Sequence, residues 1–433
     1  MRILAVYRHY WPDATPYARL LRTILEHRAA ADPAAGRCTV FTAQPSYNGA
    51  THFAPPRETL GGVEVVRAWT PRERKRFVLS RLLANVCFLA AAVVFAWRRR
   101  RDYDVLLANV HPPVLMGLTL RVIAKLTGKP FVLHVQDIHP EASVAVGVMR
   151  DSWKTRLLRR VDAGNCAAAW RVVTLCEDMK RTLLAREGFD DAGRLRVVNN
   201  FALENFGRAE EGGEEERGGP AAAAPPSSPA PSSGRQTPFR VLFAGNLGRF
   251  QDLPRLVDAA RLLDDSFEVV FMGGGLMLDE LKDRAAGLAN VTFLPHAPLE
   301  AAFEEMRHSD LGVVSLSPGV CRVAYPSKSM TYLAAGLPVL ALVEEDSDLA
   351  RAVREHRFGY APGQVEGEEL ADAIRAAAAN RHAWTPAARD ALADRAGRVF
   401  GAARALSAWD AIAEEWAVQF GRAAAPAERR RAA

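Results

Sequence analysis

The sequence predicts two doubly wound α/β domains that face each other across a ligand cleft and are joined by a linker. Short apolar strands alternate with amphipathic helices along most of the 433 residues, which is typical of parallel α/β domains. A segment rich in Gly, Glu, Ala, Pro and Ser interrupts this alternation. Its composition buries too little apolar surface to order the chain. The fold class is therefore α/β, with one Rossmann-like unit on each side of a disordered linker.

The linker at 207–238 separates a first domain at 1–206 from a second at 239–402. Helices at 403–420 are expected to pack back on the first domain or to extend the second. A basic tail at 421–433 is expected to be loose. A chain of this length is long enough for two or three domains with separate cores.

Each predicted strand is a short apolar run, as expected for strands buried on both faces. The first domain contains predicted strands at Ile3–Tyr7, Cys38–Ala43, Val63–Ala68, Val105–Asn109, Phe131–Gln136, Val172–Leu175 and Leu195–Val198. The second contains predicted strands at Arg240–Ala244, Phe267–Met272, Val291–Leu294, Leu311–Val314 and Val339–Val343. Ligands bind beyond the carboxyl ends of such strands.

Composition limits the classes of partner and cofactor. The net charge of +6 favours anionic partners such as nucleotide-sugars, polyphosphates and acidic lipid headgroups. The sequence contains no basic stripe with interleaved aromatics, so we expect no nucleic-acid partner. Its five cysteines are scattered, without Cys-x-x-Cys pairs or histidines at metal spacing, which indicates buried thiols in a reducing compartment and no metal or other cofactor. The first strand is too short an apolar run for a signal peptide.

The segment 82–97 is almost entirely apolar and is flanked by cations on both sides. These cations are Arg72, Arg74, Lys75, Arg76 and Arg81 before it, and Arg98, Arg99, Arg100 and Arg101 after it. A spanning helix needs about 20 apolar residues, so this one is short. We predict a helix lying in one leaflet, with 72–101 contacting an anionic membrane surface; a fully buried core helix is the alternative.

A stretch from Tyr325 to Ala341 predicts a helix followed by a buried strand. Pro326 suits the first helical turn, and Gly336 suits the left-handed residue that ends a helix. The start of this helix carries free backbone N–H groups, the Ser327 hydroxyl and the Lys328 cation. Such groups together bind phosphate, although an ordinary helix–strand connection with a solvated lysine is the alternative.

Two glycine turns follow strands of the second domain. In the first, Gly245 and Gly248 would let the backbone approach a diphosphate, which Asn246 would also contact and Arg249 would pair with. The second turn consists of Gly273, Gly274 and Gly275. It suits a nucleotide lying across the sheet edge, and an ordinary tight turn explains it equally well.

Polar residues also follow two neighbouring strands of the first domain. Asp137, His139 and Glu141 come after one strand, and His111 comes after the preceding one. Strand ends of α/β sheets commonly present catalytic side chains, so Asp137, Glu141 and His111 are candidates for acid, base or charge stabiliser. The alternative is that Asp137 caps a helix and His139 lies at the surface.

Together these motifs resemble retaining glycosyltransferases of family 4, which have the GT-B fold. The resemblance rests on the motifs at Val135–Glu141, Val197–Phe201, Ala244–Gly248 and Tyr325–Val339 and covers nearly the whole chain apart from the linker. The chain is similar in particular to the bacterial subgroup that includes the O-antigen L-fucosamine transferase.

The resemblance implies that the second domain binds a nucleotide-sugar and the first an acceptor, with retention of configuration and no required metal. Arg249 and Lys328 lie where the family contacts the leaving diphosphate. Val323 and Thr331 stand where many members carry glutamates. Gln136 stands where many members carry a histidine, which leaves Asp137 as the nearby ionisable group.

We therefore expect an enzyme at the cytoplasmic face of the inner membrane. It would transfer a sugar, with an N-acetylated deoxyhexosamine as one candidate, from a nucleoside diphosphate to a lipid-linked saccharide acceptor for surface polysaccharide. Two other interpretations stay open. A nucleotide-sugar epimerase also uses two facing α/β domains but needs no acceptor, and a catalytically silent membrane adaptor would use the same scaffold.

Overall fold

The computed structural model describes residues 1–13, 15–32, 37–46, 53–71, 78–201 and 237–421. The chain divides into two compact units, unit 1 at 1–200 with 403–433 and unit 2 at 201–402. Most of the predicted linker, the tail beyond 421 and the cations at 72–76 lie outside the described residues.

Unit 1 contains an eight-stranded sheet with helices along its connections. Its strands are β1 (Ile3–Val6), β2 (Cys38–Ala43), β3 (Arg57–Leu60), β4 (Val63–Ala68), β5 (Val105–Asn109), β6 (Phe131–Val135), β7 (Arg171–Thr174) and β8 (Leu195–Val197). Its first helices are α1 (Pro16–Ala31), α2 (Val78–Arg98), α3 (Leu115–Thr127), α4 (Glu141–Ala145), α5 (Trp153–Ala168) and α6 (Glu177–Leu184). The sheet order is β3-β4-β2-β1-β5-β6-β7-β8.

All neighbouring strands of unit 1 are parallel except β3 and β4. The seven predicted strands are present. β3 was not predicted, because its sequence Arg-Glu-Thr-Leu lacks an apolar pattern. It pairs through the turn formed by Gly61 and Gly62, whose positive φ angles of 53° and 78° suit a two-residue hairpin.

Unit 2 contains a six-stranded parallel sheet of order β11-β10-β9-β12-β13-β14. Its strands are β9 (Phe239–Ala244), β10 (Phe267–Met272), β11 (Val291–Leu294), β12 (Leu311–Ser315), β13 (Val339–Leu342) and β14 (Gly359–Tyr360). Its helices are α7 (Pro254–Ala260), α8 (Leu278–Arg284), α9 (Leu299–His308), α10 (Lys328–Ala334), α11 (Asp348–Glu355), α12 (Gly367–Ala379) and α13 (Pro386–Phe400). The two-residue β14 was not predicted.

Each sheet reverses its strand order beside a central strand. In unit 1 the chain adds strands on one side of β1 and then continues with β5 on the other, and in unit 2 it does the same around β9 with β12. The carboxyl ends of such strand pairs are the points where doubly wound sheets bind ligands. The loops after β1, β5, β9 and β12 therefore define the two regions of interest.

The final helix, α14 (Ala402–Trp416), belongs to unit 1. Asp410 accepts a hydrogen bond from His27 at 2.9 Å. Glu415 accepts bonds from Arg171 at 2.7 Å and Arg196 at 2.9 Å. These contacts attach α14 to the first helix and to two strands of the unit 1 sheet.

Candidate functional site

Lys328, the first residue of α10, carries a buried ammonium group. Its Nζ lies 3.5 Å from the centroid of the Phe243 ring, and no hydrogen-bond partner for it occurs in the described part of the chain. Burial without a counter-charge lowers the pKa of this ammonium to about 7. An anion that reached Lys328 would supply the missing counter-charge.

Gly245, directly after β9, faces this ammonium. Its φ of 126° lies in a region that other residues rarely adopt, and a Cβ at this position would lie 3.6 Å from Lys328 Nζ. Glycine thus leaves the backbone turn open beside the cation. The structure brings together these two predicted residues, although they are far apart in sequence.

The two predicted glycine turns lie against each other at the ends of the paired strands β9 and β10. Leu247 donates its N–H to the carbonyl of Gly274 at 2.9 Å. A Cβ on Gly273 would lie 2.0 Å from the carbonyl oxygen of Gly245, and one on Gly275 would lie 2.3 Å from that of Leu247. Close packing of the two turns explains the glycines at 273 and 275, and their contact with a nucleotide stays a prediction.

Asn246, Gly248, Arg249 and Ser327 are the remaining residues predicted to bind the donor diphosphate. Gln251 closes the first glycine turn by accepting a hydrogen bond from the N–H of Gly248 at 3.2 Å. The amide of Asn246 packs over Gly248, since a Cβ there would lie 2.7 Å from its nitrogen. Arg249 and Ser327 are exposed, so both side chains are able to reorient toward a ligand.

Tyr332 links α10 to the end of β9. Its buried hydroxyl accepts a hydrogen bond from the N–H of Ala244 at 2.6 Å, and its ring packs closely against Gly312 of β12. This tyrosine keeps Lys328 in register with the Gly245 turn. Sequence reasoning missed Tyr332, because an aromatic residue on the inner face of a helix is usually an ordinary core residue.

The positions where family 4 members often carry glutamates contribute no carboxylate here. Val323 is buried and Thr331 is half-buried. Glu344, which follows β13, is the carboxylate that the sequence reasoning missed at this sheet edge. It accepts bonds from the Gly319 N–H at 2.5 Å and the Cys321 thiol at 2.8 Å. Burial alone would raise the pKa of Glu344, but these bonds lower it.

In unit 1, Asp137 and His111 lie at the carboxyl ends of the neighbouring strands β6 and β5. Asp137 is open to solvent, yet the protein packed around it raises the pKa of its carboxyl group, against an opposing effect of His139. Desolvation lowers the pKa of His111 to about 4, and the charges of His9, Arg8 and His139 add to this. Asp137 thus has the raised pKa that suits a general base.

The structure favours a structural role for Glu141 over the predicted catalytic one. Its two carboxylate oxygens accept hydrogen bonds from Arg186 at 2.8 and 2.7 Å. The same guanidinium donates to Asp162 at 2.6 Å and to the carbonyl of His139 at 2.8 Å. Glu141 therefore helps to fix the loop after β6 through Arg186, and a catalytic role for it stays a prediction.

Sequence reasoning did not select Arg8 and His9 as site residues. Both residues come just after β1, in the same way as His111 comes just after β5. The rings of His9 and His111 lie 6.1 Å apart. Arg8 is buried and donates to Asn85 of α2 at 2.5 Å. The strand-end rule that selected His111 would have found both residues if it had been applied to the first strand.

Two of the predicted motifs meet below the end of β6. The side chain of Gln136 donates to the buried His134 at 2.9 Å and accepts from Asn200 at 2.8 Å. His134 in turn contacts the hydroxyl of Tyr17 at 3.2 Å. The motif at Val197–Phe201 thus holds the strand end that presents Asp137.

Helix α2 has one buried face and one exposed apolar face. Ala84, Phe88, Ala92 and Ala96 repeat every four residues and are buried on the unit 1 core. The exposed apolar residues are Leu82, Leu83, Val86, Val94 and Trp97, with Leu115, Val122 and Leu126 on α3. Because α2 and α3 pack together, we call these eight residues the apolar face.

The apolar face is bordered by basic residues. Arg81, Arg98 and Arg101 on the α2 side and Arg121 and Lys125 on α3 are exposed, and neither helix contains an acidic residue. By length and composition alone, the 19 residues Ser80–Arg98, of mean hydropathy 1.7, would suffice to cross a membrane, as some core helices of soluble proteins would. The buried face of α2 instead packs on the core of unit 1.

The two parallel-sheet units define the class of protein: the chain has the GT-B fold of glycosyltransferases, as predicted. Residues 17–200 match the family described as a glycosyl transferase 4-like domain. The comparisons thus show a GT-B fold whose residues 17–200 are similar to a glycosyl transferase 4-like domain.

Individual relatives agree with this class. WbjE of Pseudomonas aeruginosa, named as a glycosyltransferase, is 29% identical over 304 residues, covering 67% of this chain and 70% of WbjE. WcaI of Escherichia coli K12, named as a colanic acid biosynthesis glycosyl transferase, is 24% identical over 364 residues, covering 81% and 85%. Among solved structures, Anabaena HepE in complex with UDP has a TM-score of 0.62 at 17% identity, over 96% of this chain and 100% of HepE.

Proposed function

We propose that this chain is a retaining glycosyltransferase that transfers a sugar from a nucleoside diphosphate to a lipid-linked saccharide acceptor for surface polysaccharide. The observation that carries the proposal is the buried ammonium of Lys328 beside the Gly245 turn, for which no counter-charge occurs among the described residues. The name of WcaI, in colanic acid biosynthesis, supports the pathway. The complexes of HepE with UDP and UDP-glucose support a nucleotide-sugar donor.

The donor diphosphate would lie at the carboxyl end of β9, between the Gly245 turn and the start of α10. As the bond to the sugar breaks, negative charge accumulates on the leaving diphosphate. A preorganised cation in a site of low dielectric stabilises that charge more than it would in water. Lys328 is such a cation, and the exposed Arg249 and Ser327 would close on the phosphates from the surface.

The acceptor would be bound in unit 1, where Asp137 follows β6. Its raised pKa suits a carboxylate that receives the proton of the attacking acceptor hydroxyl. The new glycosidic bond forms as the bond to the diphosphate breaks on the same face of the sugar, so the anomeric configuration is retained. We propose no metal, because Lys328 and Arg249 would supply the positive charge.

The proposal also extends to the identity of the donor sugar. Val323 and Thr331 replace two glutamates by side chains without charge, which favours a less hydroxylated donor sugar over a fully hydroxylated hexose. An N-acetylated deoxyhexosamine of the L-fucosamine type, as in the subgroup that the motifs resemble, fits this change. We propose such sugars as the first donors to examine.

The experiment is a thermal-shift screen of UDP-, GDP- and dTDP-sugars, followed by a transfer assay with a detergent-solubilised lipid-diphosphate saccharide. A donor should raise the melting temperature by mass action, and the sugar should appear on the acceptor with its configuration retained. Conversion of the donor without acceptor would indicate the epimerase. Absence of any donor binding or turnover would favour the catalytically silent adaptor and overturn the proposal.

We also propose that the apolar face docks on the cytoplasmic side of the inner membrane, where such acceptors reside. Arg98, Arg100 and Arg101 border this face, whereas Arg99 is held by Glu64 at 2.9 Å. Each arginine near an anionic surface contributes about 1 kcal/mol. Replacing these three arginines with glutamine should therefore weaken binding to vesicles containing anionic lipid about 100-fold.

Vesicle sedimentation of the full chain measures this effect. Val86→Glu with Val94→Glu should also abolish binding, because it places charge in the middle of the apolar face. The matched control is Leu262→Glu with Leu276→Glu, two exposed leucines of unit 2, which should bind as the parent chain does. Recovery of the parent chain in the supernatant with anionic vesicles would contradict the docking proposal.

A further inference from the structure

Asp137 lies on a short segment that is anchored on both sides. On its amino side, Gln136 directly follows the last residue of β6. On its carboxyl side, Ile138 is 1% exposed, and the carbonyl of His139 accepts a hydrogen bond from Arg186 at 2.8 Å. The exposed side chain of Asp137 therefore extends from a backbone whose neighbours in both directions are fixed.

The side-chain amide of Gln136 makes the contacts on the amino side. Its Nε2 donates to His134 Nε2 at 2.9 Å, and its Oε1 accepts from Asn200 Nδ2 at 2.8 Å. Two bonds at opposite ends of one amide fix its orientation. Asn200 follows β8 and is 64 residues away in the sequence, so Gln136 joins two distant segments of unit 1 at the end of β6.

His134 is enclosed and uncharged. The centroid of its ring lies 5.4 Å from that of Tyr17 in α1 and 5.1 Å from that of Trp409 in α14. Desolvation lowers the pKa of His134 to about 3, so the imidazole carries a single N–H at neutral pH. Because its Nε2 accepts the bond from Gln136, this proton is on Nδ1, which lies 3.2 Å from the Tyr17 hydroxyl.

These contacts form one chain of hydrogen bonds. Asn200 donates to Gln136, Gln136 donates to His134, and His134 donates to Tyr17. The chain connects the segment after β8, the end of β6 and the first turn of α1. Removing one member leaves a buried polar group without its partner, which is unfavourable in the protein interior. The end of β6 is therefore held in one arrangement.

We propose that Gln136 is a positioning residue, which holds Asp137 at the carboxyl edge of the sheet through Asn200 and through His134 in its Nδ1–H form. The proposal rests on the proposed function, in which Asp137 receives the proton of the acceptor hydroxyl. Gln136 itself contacts no substrate in this role. A displacement of a reacting group by about 1 Å costs about 100-fold in rate, so the contacts of Gln136 should affect turnover more than donor binding.

The experiment compares the full chain with Gln136→Met, which keeps the length of the side chain and removes both hydrogen bonds. Labelling the aspartate carboxyl groups with 13C allows NMR to follow their titration, and Asp137→Asn identifies the signal of Asp137. Desolvation raises the pKa of this carboxyl group, against the effect of His139. Gln136→Met should lower that pKa, because a looser segment exposes the carboxyl group to water. His139 is present in both chains.

Two further measurements distinguish positioning from a general loss of structure. In the transfer assay, Gln136→Met should lower kcat roughly 10- to 100-fold and leave KM for the nucleotide-sugar unchanged, since the donor would bind in unit 2. In 15N spectra, His134 should be the Nδ1–H form in the parent chain and lose its preference for that form in Gln136→Met. A merely structural glutamine would change neither the Asp137 titration nor the ratio of kcat to donor KM.

Asn200→Ala tests the other end of the same chain of hydrogen bonds. It keeps the bond between Gln136 and His134, and it should change the Asp137 titration and kcat in the same direction as Gln136→Met does. The matched control is Gln419→Met. Gln419 accepts a hydrogen bond from Trp170 at 2.7 Å just before β7, at the opposite edge of the sheet, so its loss should alter neither measurement.

Identical titration of the Asp137 carboxyl group in the parent chain and in Gln136→Met would overturn the proposal. An Nε2–H form of His134 in the parent chain would also overturn it. If Gln136→Met does not melt cooperatively, Asn200→Ala decides by the same measurements. A parent chain that turns over no nucleotide-sugar would refute the proposed function, whereas the titration of Asp137 would still show whether Gln136 holds this side chain.

Discussion

Replacing Lys328 with methionine should lower kcat/KM for the nucleotide-sugar about 100-fold and at the same time stabilise the folded chain. Charge-assisted hydrogen bonds contribute about 1.5–3 kcal/mol each, and 100-fold corresponds to about 2.7 kcal/mol. The fold gains because methionine fills the site over the Phe243 ring without a desolvated charge. Loss of activity together with gain of stability distinguishes a binding lysine from a structural one.

The pH dependence of stability gives an independent test of the same residue. The pKa of Lys328 is about 7 in the folded chain and close to its ordinary 10.5 when unfolded, so between these values the unfolded chain binds more protons. The free energy of unfolding should therefore rise as the pH increases from about 7 to about 10. The destabilisation is complete below pH 7, where the buried ammonium is charged. Lys328→Met should lack this rise.

Urea denaturation at several pH values and donor calorimetry measure both effects. The matched control is Lys282→Met, because Lys282 is an exposed lysine of α8 in the same unit. It should change neither donor affinity nor the pH profile. If Lys328→Met bound and turned over the donor as the parent chain does, Lys328 would have no role at the diphosphate.

Replacing Arg186 with methionine should destabilise unit 1 by about 3–5 kcal/mol, the usual cost of breaking a buried ion pair by removing one partner. Arg186 is 7% exposed and bridges Glu141 and Asp162, so its removal takes this cation from Asp162 and leaves Glu141 with only the longer pair to Arg159 at 3.7 Å. Chemical denaturation measures the loss. The matched control is Arg160→Met, since Arg160 pairs with Glu187 at 3.2 Å on the surface, where such pairs contribute about 0–1 kcal/mol.

The same network decides between the two roles of Glu141. Glu141→Gln keeps the shape of the side chain but removes its charge, so it should lower the free energy of unfolding. The kcat of the folded fraction should stay within a few-fold of the parent value. A large loss of kcat with unchanged stability would instead restore the catalytic assignment of Glu141.

Much of the fold follows from local pattern. The strand runs such as Val105–Asn109 and Phe267–Met272 have the predicted bounds, because strands buried on both faces are continuous apolar runs that need no partner to be recognised. The edge strands β3 and β14 escape this rule. The first is polar and the second has two residues, and each depends on pairing with a neighbour to form.

The predicted helix of 82–97 extends from Val78 to Arg98. Its apolar composition is evident in the sequence, but the sequence does not tell which residues face the core. Packing against the sheet selects the stripe at Ala84, Phe88, Ala92 and Ala96, and leaves the opposite stripe exposed. Contact between the helix and a membrane stays a prediction.

The sequence by itself determined the fold class and the strand ends at which chemistry is expected, because both depend on periodicity and on residue types close together in the chain. Only the tertiary structure decided which of those polar groups are engaged. Glu141 is held by Arg186, 45 residues away. Lys328 instead lies over the ring of Phe243, with no carboxylate near it in the described parts of unit 2. Whether a charge is balanced or available depends on contacts between distant segments, which no local pattern encodes.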